Sequence, residues 1–292
     1  MSVWDSVASA ISDATQCPFT VNRTSSVGGG SINDAYLLEG IDGRCYFVKL
    51  NDSRHHQMFV AEAEGLAAIA ATNTVFVPSP VTNGKAGGQS FLVLEHLEIG
   101  SHGSATLLGK QLAALHRCIG NGFGFDQDNF IGTTPQPNDW KASWIDFWRE
   151  HRLGFQLTLA ARNGYGGGLQ HLGEKLITAL PAFFEAYMPQ PSLLHGDLWG
   201  GNHAYLGDGT PTIIDPAAYY GDRECDLAMT ELFGGYSGDF YAAYHDAYPL
   251  DEGYAVRKHL YNLYHILNHA NLFGSGYARQ AEGMMQRLLA EI

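Results

Sequence analysis

A chain of 292 residues with 45% hydrophobic and 12% aromatic content carries enough apolar material for one large domain or two lobes, which excludes a disordered polymer. Lys and Arg number 17 against 30 Asp and Glu, a formal net charge of −13, and this excludes nucleic acid as a partner because gripping a phosphate backbone requires a basic face. Cys17, Cys45, Cys118 and Cys225 form no C-x-x-C pair, no apolar run approaches a bilayer span, and MSVWDSVASAISDAT lacks the basic flank of a signal peptide, so reduced thiols, no membrane partner and a cytoplasmic location are expected.

In chain order, Val3, Trp4, Val7, Ala8 and Ile11 recur at helical spacing and predict an amphipathic helix over Ser2 to Thr15. Three β-rich stretches follow, Phe19 to Thr24, Asp34 to Leu38 and Arg44 to Leu50, and are read as antiparallel strands. The loop VGGGSIN parts the first two. Its Gly28, Gly29, Gly30 and Ser31 would let the backbone approach a ligand and aim amides at phosphate oxygens. It lacks the GK[ST] of a Walker A motif and ends on Asn33, so an ordinary hairpin loop is the alternative. Lys49 closes an apolar strand as a lone cation, and an unpaired buried ammonium is costly. Glu62 and Glu64, on a predicted helix over Ser53 to Ala71, are its candidate partners. Val77 to Pro80 reads as a linker, and Ser90 to Leu97 as an apolar strand that ends in Glu95, His96 and Leu97.

From Ser104 the pattern turns helical. Leu107, Leu108, Gln111, Leu112 and Leu115 share one face of a helix ending near His116, and Gly120 to Asp139, rich in Gly, Asn and Pro, reads as a long surface loop. Trp140 to Asn163 predicts one long helix with Trp144, Phe147 and Trp148 in the core, and Leu169 to Tyr187 a second. Further helices are expected near Glu224 to Leu232, Asp239 to Ala247, Val256 to Phe273 and Ala278 to Glu291. His265 and His269 lie at i, i+4 but lack the Glu of H-E-x-x-H and a third ligand, so they read as packing residues rather than a zinc site.

The chemistry concentrates between Leu193 and Pro216. His195-Gly196-Asp197 is followed five residues past the aspartate by Asn202, then by a Gly-Asp-Gly turn and the strand Thr212-Ile213-Ile214 that stops at Asp215. A turn needs Gly, Asn or Asp, but not this set at this spacing. It is the order of parts in protein kinases, where a catalytic-loop aspartate takes the acceptor proton, an asparagine and a second aspartate hold magnesium, and a strand lysine paired to a helix glutamate grips the nucleotide phosphates. Gly196 replaces the usual Arg, and Asp-Pro-Ala replaces Asp-Phe-Gly.

The likeness extends beyond the spacing. HGDLWGGN, DPA-x-YYG, E-x-DLAM and FGG, between His195 and Gly235, resemble the fructosamine-3-kinase (ketosamine-3-kinase) family, as do VGGGSIN, FVKLN, LEHL and NDW earlier in the chain. The resemblance implies an α+β, bilobal, protein-kinase-like fold, with a five-stranded antiparallel nucleotide lobe over residues 1–97 and a mainly helical catalytic lobe over 98–292. It implies ATP and Mg2+ as cofactors, and phosphorylation of the 3-hydroxyl of a small-molecule or protein-linked ketosamine, whose phosphate then decomposes in a deglycation. Asp197 would be the base, Asn202 and Asp215 the magnesium ligands, and Lys49 with Glu62 the phosphate clamp. The backbone of Glu95, His96 and Leu97 would read adenine. Asp226 would brace the catalytic loop. Trp199, Asp139, Trp140, Arg152 and Glu224 are the candidate substrate contacts, and a monomer or weak homodimer is expected. The rivals are a kinase of another small alcohol, an aminoglycoside or a choline-like compound, and a nucleotide-binding pseudokinase.

Overall fold

Residues 2–28 and 32–292 are described by the computed structural model and fall into two units: the chain up to Ser104 with His203–Ala217, and Ala105–Asn202 with Ala218–Ile292. The division expected at residue 97 thus runs after 104, and the hairpin that leads to Asp215 belongs to the first unit rather than the helical one.

In the first unit five strands, β1 (Val21–Val27), β2 (Asp34–Gly40), β3 (Cys45–Asp52), β4 (Pro80–Ala86) and β5 (Gln89–Glu95), form an antiparallel sheet in the order β1-β2-β3-β5-β4. The linker read over Val77 to Pro80 is therefore followed by a strand that the sequence reading did not separate. Side chains alternate along β3, so Tyr46, Val48 and Leu50 pack on one face with Leu38, Phe91 and Val93. Against that face lies α1 (Val3–Thr15), which buries Val7 and Ile11 completely. Each contributes about 1.5–3 kcal/mol by leaving water. A capping box fixes its start, with Asp5 N–H donating to Ser2 Oγ and Ser2 N–H donating to Asp5 Oδ2. The alternation sends Lys49 to the opposite face, beside α2 (His56–Ala70). Phe59, Leu66 and Ile69 are the buried stripe of α2, and Glu62 falls between them at i+3 from Phe59 and i−4 from Leu66.

The second unit is helical, as expected, and its last four helices run Glu224–Leu232, Gly238–Ala247, Tyr254–Phe273 and Ser275–Ala290. Two stretches differ from their sequence reading. Residues 120–139 are not a plain surface loop: a short hairpin pairs Asn129–Ile131 with Thr134–Gln136, and its amides are buried and bonded. Gln136 Nε2 donates to Asn129 Oδ1 (2.7 Å), Asn129 Nδ2 to Ala218 O (2.8 Å), and Tyr264 Oη to Gln136 Oε1 (2.7 Å). The long helix read over Trp140 to Asn163 is interrupted by a π-helical turn, Trp148–Leu153, between Trp144–Phe147 and Gly154–Arg162. A Cβ at Gly154 would stand 2.4 Å from Arg149 O, so the wide turn requires glycine there. No helix among the described residues is long and apolar enough to cross a membrane.

His265, in the centre of the second unit, is 6% exposed, and burial lowers its pKa to about 3. Between pH 6.5 and about 3 the unfolded chain therefore binds a proton that the folded chain refuses, and stability falls with pH by about 1.4 kcal/mol per unit. Urea melts of wild type and His265→Gln should show the difference in stability shifting in favour of the variant by about 2 kcal/mol between pH 7 and 5. A difference that does not change with pH contradicts a neutral buried imidazole.

Candidate active site

The first unit gathers two carboxylates around Lys49. Its Nζ, 5% exposed as a residue, donates to Glu62 Oε1 at 2.7 Å and to Asp215 Oδ1 at 2.6 Å. Burial opposes the ammonium, but the Asp215 and Glu62 carboxylates outweigh it and hold the lysine above its ordinary pKa. Burial pushes Glu62 above the usual carboxylate range even against the pull of Lys49. Asp215 reaches this position on a hairpin that pairs His203–Tyr205 with Pro211–Ile213 and is tied by Ile213 N–H to Phe76 O at 3.1 Å. Its φ of +57° turns the chain sharply just past the strand, and its side chain is 44% exposed, so the carboxylate is open to a ligand as well as to Lys49. Asn51 Nδ2 donates to Ile32 O and to Asn33 Oδ1, which moors the end of the glycine loop to β3. Gly28 has open space where a Cβ would stand; Gly29, Gly30 and Ser31 lie outside the described residues.

The second unit holds His195-Gly196-Asp197 at the end of the strand Ser192–Leu194, which pairs with Tyr219–Gly221. The loop hangs on Asp226. Its Oδ2 accepts from His195 N–H at 2.7 Å, its Oδ1 from Gly196 N–H at 2.8 Å, and His116 Nε2 lies 3.1 Å from Oδ2. Burial disfavours this carboxylate, yet the His116 contact and the loop amides prevail and its pKa falls below the ordinary value. Gly196 takes φ +84°, a conformation closed to the arginine of protein kinases without strain. His195 braces the loop, its Nδ1 accepting from Asp197 N–H at 3.2 Å. Asn202 Nδ2 donates to Asp197 O at 2.8 Å and reaches Asp197 Oδ2 at 3.3 Å. Trp199, 40% exposed, has its carbonyl held by Asn202 N–H at 2.9 Å and by Tyr236 Oη at 3.2 Å. A Cβ on Gly201 would strike its indole at 2.3 Å, so the second glycine of WGGN makes room for the ring.

Two expected substrate contacts are corrected. Arg152 has no exposed surface: its Nη1 donates to Pro137 O at 2.7 Å, its Nη2 to Asn138 Oδ1 at 2.8 Å, and its guanidinium lies 4.5 Å from the Phe147 ring and 4.0 Å from that of Tyr219. Glu224 is likewise fully buried in a two-pronged pair with Arg257, at 2.8 and 2.9 Å. Both are structural. Asp139 and Trp140 are exposed, and Trp140 lines a groove of its own. At the expected adenine segment, Glu95 donates its N–H to Ser79 O and accepts Ser79 N–H on Oε1, while His96 and Leu97 lie past the strand end. Sequence reasoning did not find His116 or Tyr236, since neither sits in a motif and both act through a carboxylate or carbonyl brought near by folding.

Each unit offers one oxygen of the kind magnesium accepts. In the second unit Asn202 has committed its amide nitrogen, which leaves its oxygen to coordinate, and in the first Asp215 offers an exposed carboxylate. Both are hard oxygen ligands, and magnesium takes the remainder of its shell from phosphates and water. Among the described residues no group of three His, Cys, Asp or Glu side chains could hold a metal alone.

A lysine clamped between a helix glutamate and a hairpin aspartate, with a braced His-Gly-Asp loop followed by Asn, defines a kinase-like phosphotransferase, and the fold is the α+β protein-kinase-like one expected. The sequence pattern of the fructosamine kinase family matches residues 3–291, and the chain belongs to that family. It is 51% identical over 290 residues to a protein of Synechocystis described as a probable ketoamine kinase, covering 98% of this chain and 97% of that one. It is 43% identical over 274 residues to a chloroplastic protein-ribulosamine 3-kinase of Arabidopsis thaliana, covering 92% of this chain and 83% of that one. The crystal structure of a candidate fructosamine-3-kinase from Haemophilus somnus superposes with a TM-score of 0.89 at 32% identity, over 98% of this chain and 97% of that one.

If Arg152 is structural, Arg152→Ala should cost about 2–4 kcal/mol, because it strips a buried cation from its rings and orphans Asn138 Oδ1. Calorimetry should find the lowered melting temperature. A variant of unchanged stability with a raised acceptor KM would restore the substrate role.

Proposed function

We propose that this protein is an ATP-dependent ketosamine kinase that transfers the γ-phosphoryl group to the 3-hydroxyl of a ribulosamine or fructosamine, free or linked to protein, and so promotes deglycation. The observation that carries the reading is the Asp197 loop, anchored on Asp226 and followed at the right interval by Asn202. Phosphoryl transfer requires little covalent help, so the protein's work is positioning and charge neutralisation. Asp197 orients the attacking hydroxyl and takes its proton, while the contact to Asn202 fixes the carboxylate's rotamer. Lys49, held in place and kept charged by Glu62, binds phosphate oxygens. Magnesium, held by Asn202 and Asp215, would supply neutralising charge to the phosphates. Trp199 presents a part-exposed indole from a backbone held at its carbonyl, two residues from the base, where its face suits the apolar side of a sugar.

Relatives that carry ketoamine and ribulosamine names across most of this chain favour a ketosamine over an aminoglycoside or a choline-like acceptor. The presence of Lys49, Asp197, Asn202 and Asp215 together argues against a pseudokinase, which has no use for a base. A monomer or weak homodimer acting in the cytoplasm completes the reading.

Asp197→Asn keeps the shape of the base but not its proton affinity. Turnover should fall by roughly 10²–10⁴-fold while the calorimetric affinity for ATP stays near that of wild type. Near-normal turnover would require another base.

A further inference from the structure

The second unit carries a groove of about 530 Å³ that the transfer reaction does not use. Trp140 and Tyr220 form its aromatic wall, with ring centroids 5.8 Å apart at 31°, and Trp140 is 45% exposed. Gly120 and Gly122 keep the groove open: a Cβ on Gly120 would strike the Tyr220 ring at 2.7 Å, and one on Gly122 would stand 3.0 Å from Lys141 O. The platform is built. Asn138, fully buried, receives Arg152 on its side chain, donates its own N–H to Asp128, and sends Nδ2 to Gln127 O, which fixes the segment that presents Trp140. Trp140 Nε1 in turn donates to Asp126 Oδ1 at 3.2 Å, so a carboxylate is clipped to the edge of the exposed indole.

The groove is negative. Asp126 lines it, and the single lining cation, Lys141, is neutralised by Glu150, with Asp139 and Asp146 adding to the field around that ammonium. An aromatic face beside a carboxylate in an acidic surround is the chemistry that accepts a lysine ammonium or an arginine guanidinium.

We propose that this groove docks a cationic side chain of the polypeptide that carries the ketosamine, a second point of attachment beyond the modified residue itself. The proposal rests on the ketosamine reading and deepens it to the carrier. The spacing is suitable. Tyr220 pairs with Leu193, four residues before Asp197 and one before the strand ends, so the backbones of Tyr220's strand partner and of Asp197 lie at most about 13 Å apart, within reach of about four residues of extended peptide.

The test begins with binding alone. A fluorescein-labelled, unglycated peptide containing several arginines is titrated with wild type, Asp126→Lys and Trp140→Ala, and compared with the same peptide bearing glutamine in place of arginine. Wild type should prefer the arginine peptide, and each variant should weaken it roughly tenfold while its melting temperature stays near that of wild type. Next, with ATP, Asp126→Lys should lower kcat/KM roughly tenfold for the arginine peptide carrying a ribulosamine-modified lysine, and leave free ribulosamine unchanged. Equal binding of the two peptides by wild type, or unaltered affinity in either variant, overturns the proposal. An equal loss on free ribulosamine also overturns it, by assigning the groove to the sugar. Failure of the ketosamine reading looks different: wild type then phosphorylates neither substrate, while the unglycated peptides still decide the groove.

Discussion

The Asp226 carboxylate is the constraint on which the catalytic loop depends. A buried charge must be repaid by hydrogen bonds, and here the donors are the backbone amides of His195 and Gly196 together with His116. The exchange works in both directions. His116 and the loop amides keep the carboxylate ionised, and the carboxylate fixes the two residues that immediately precede Asp197. With those amides pinned, Gly196 is held at φ +84°, His195 turns Nδ1 back onto Asp197 N–H, and Asn202 closes the loop on the Asp197 carbonyl. The helix Glu224–Leu232 supplies the rigidity, since Glu224, its first residue, is locked to Arg257 and Thr230 Oγ1 donates to Leu227 O.

The first unit solves a parallel problem with a cation. Alternation along β3 commits Lys49 to the face away from the α1 core, where an unpaired ammonium would be costly, and the stripe of α2 places Glu62 against it. Asp215 completes the cluster from a hairpin far along the chain, and its exposure leaves an oxygen ligand facing solvent. Ion pairing among the three keeps the lysine charged without any ligand, so the group proposed to bind phosphate is prepared in advance rather than assembled on demand.

What the sequence made legible is what local spacing encodes. The interval from Asp197 to Asn202 to Asp215 appears as one run, whereas the preference for Glu62 over Glu64 rests on the family resemblance, and the structure supplies the reason: Glu62 lies between Phe59 and Leu66 on the buried stripe. The helices after Asp215 came out close to their predicted bounds for the same reason. Residues 120–139 misled because Asn129, Gln136 and Asn138 look like loop composition, while burial with every amide bonded inverts their meaning. Arg152 and Glu224 misled for a related reason. A charged residue near a motif reads as a substrate contact, and only the fold reveals the Phe147, Tyr219 and Arg257 partners that absorb it. The π-turn was invisible because it alters the period for only six residues.

Phosphorylation of a ketosamine at its 3-hydroxyl can be read from 31P NMR of the products. Wild-type protein with ATP and magnesium should convert ribulosamine, and fructosamine beside it, into a phosphate ester coupled to the proton on C3, and should leave kanamycin and choline unmodified. An ester on kanamycin or choline with none on either ketosamine would contradict the account.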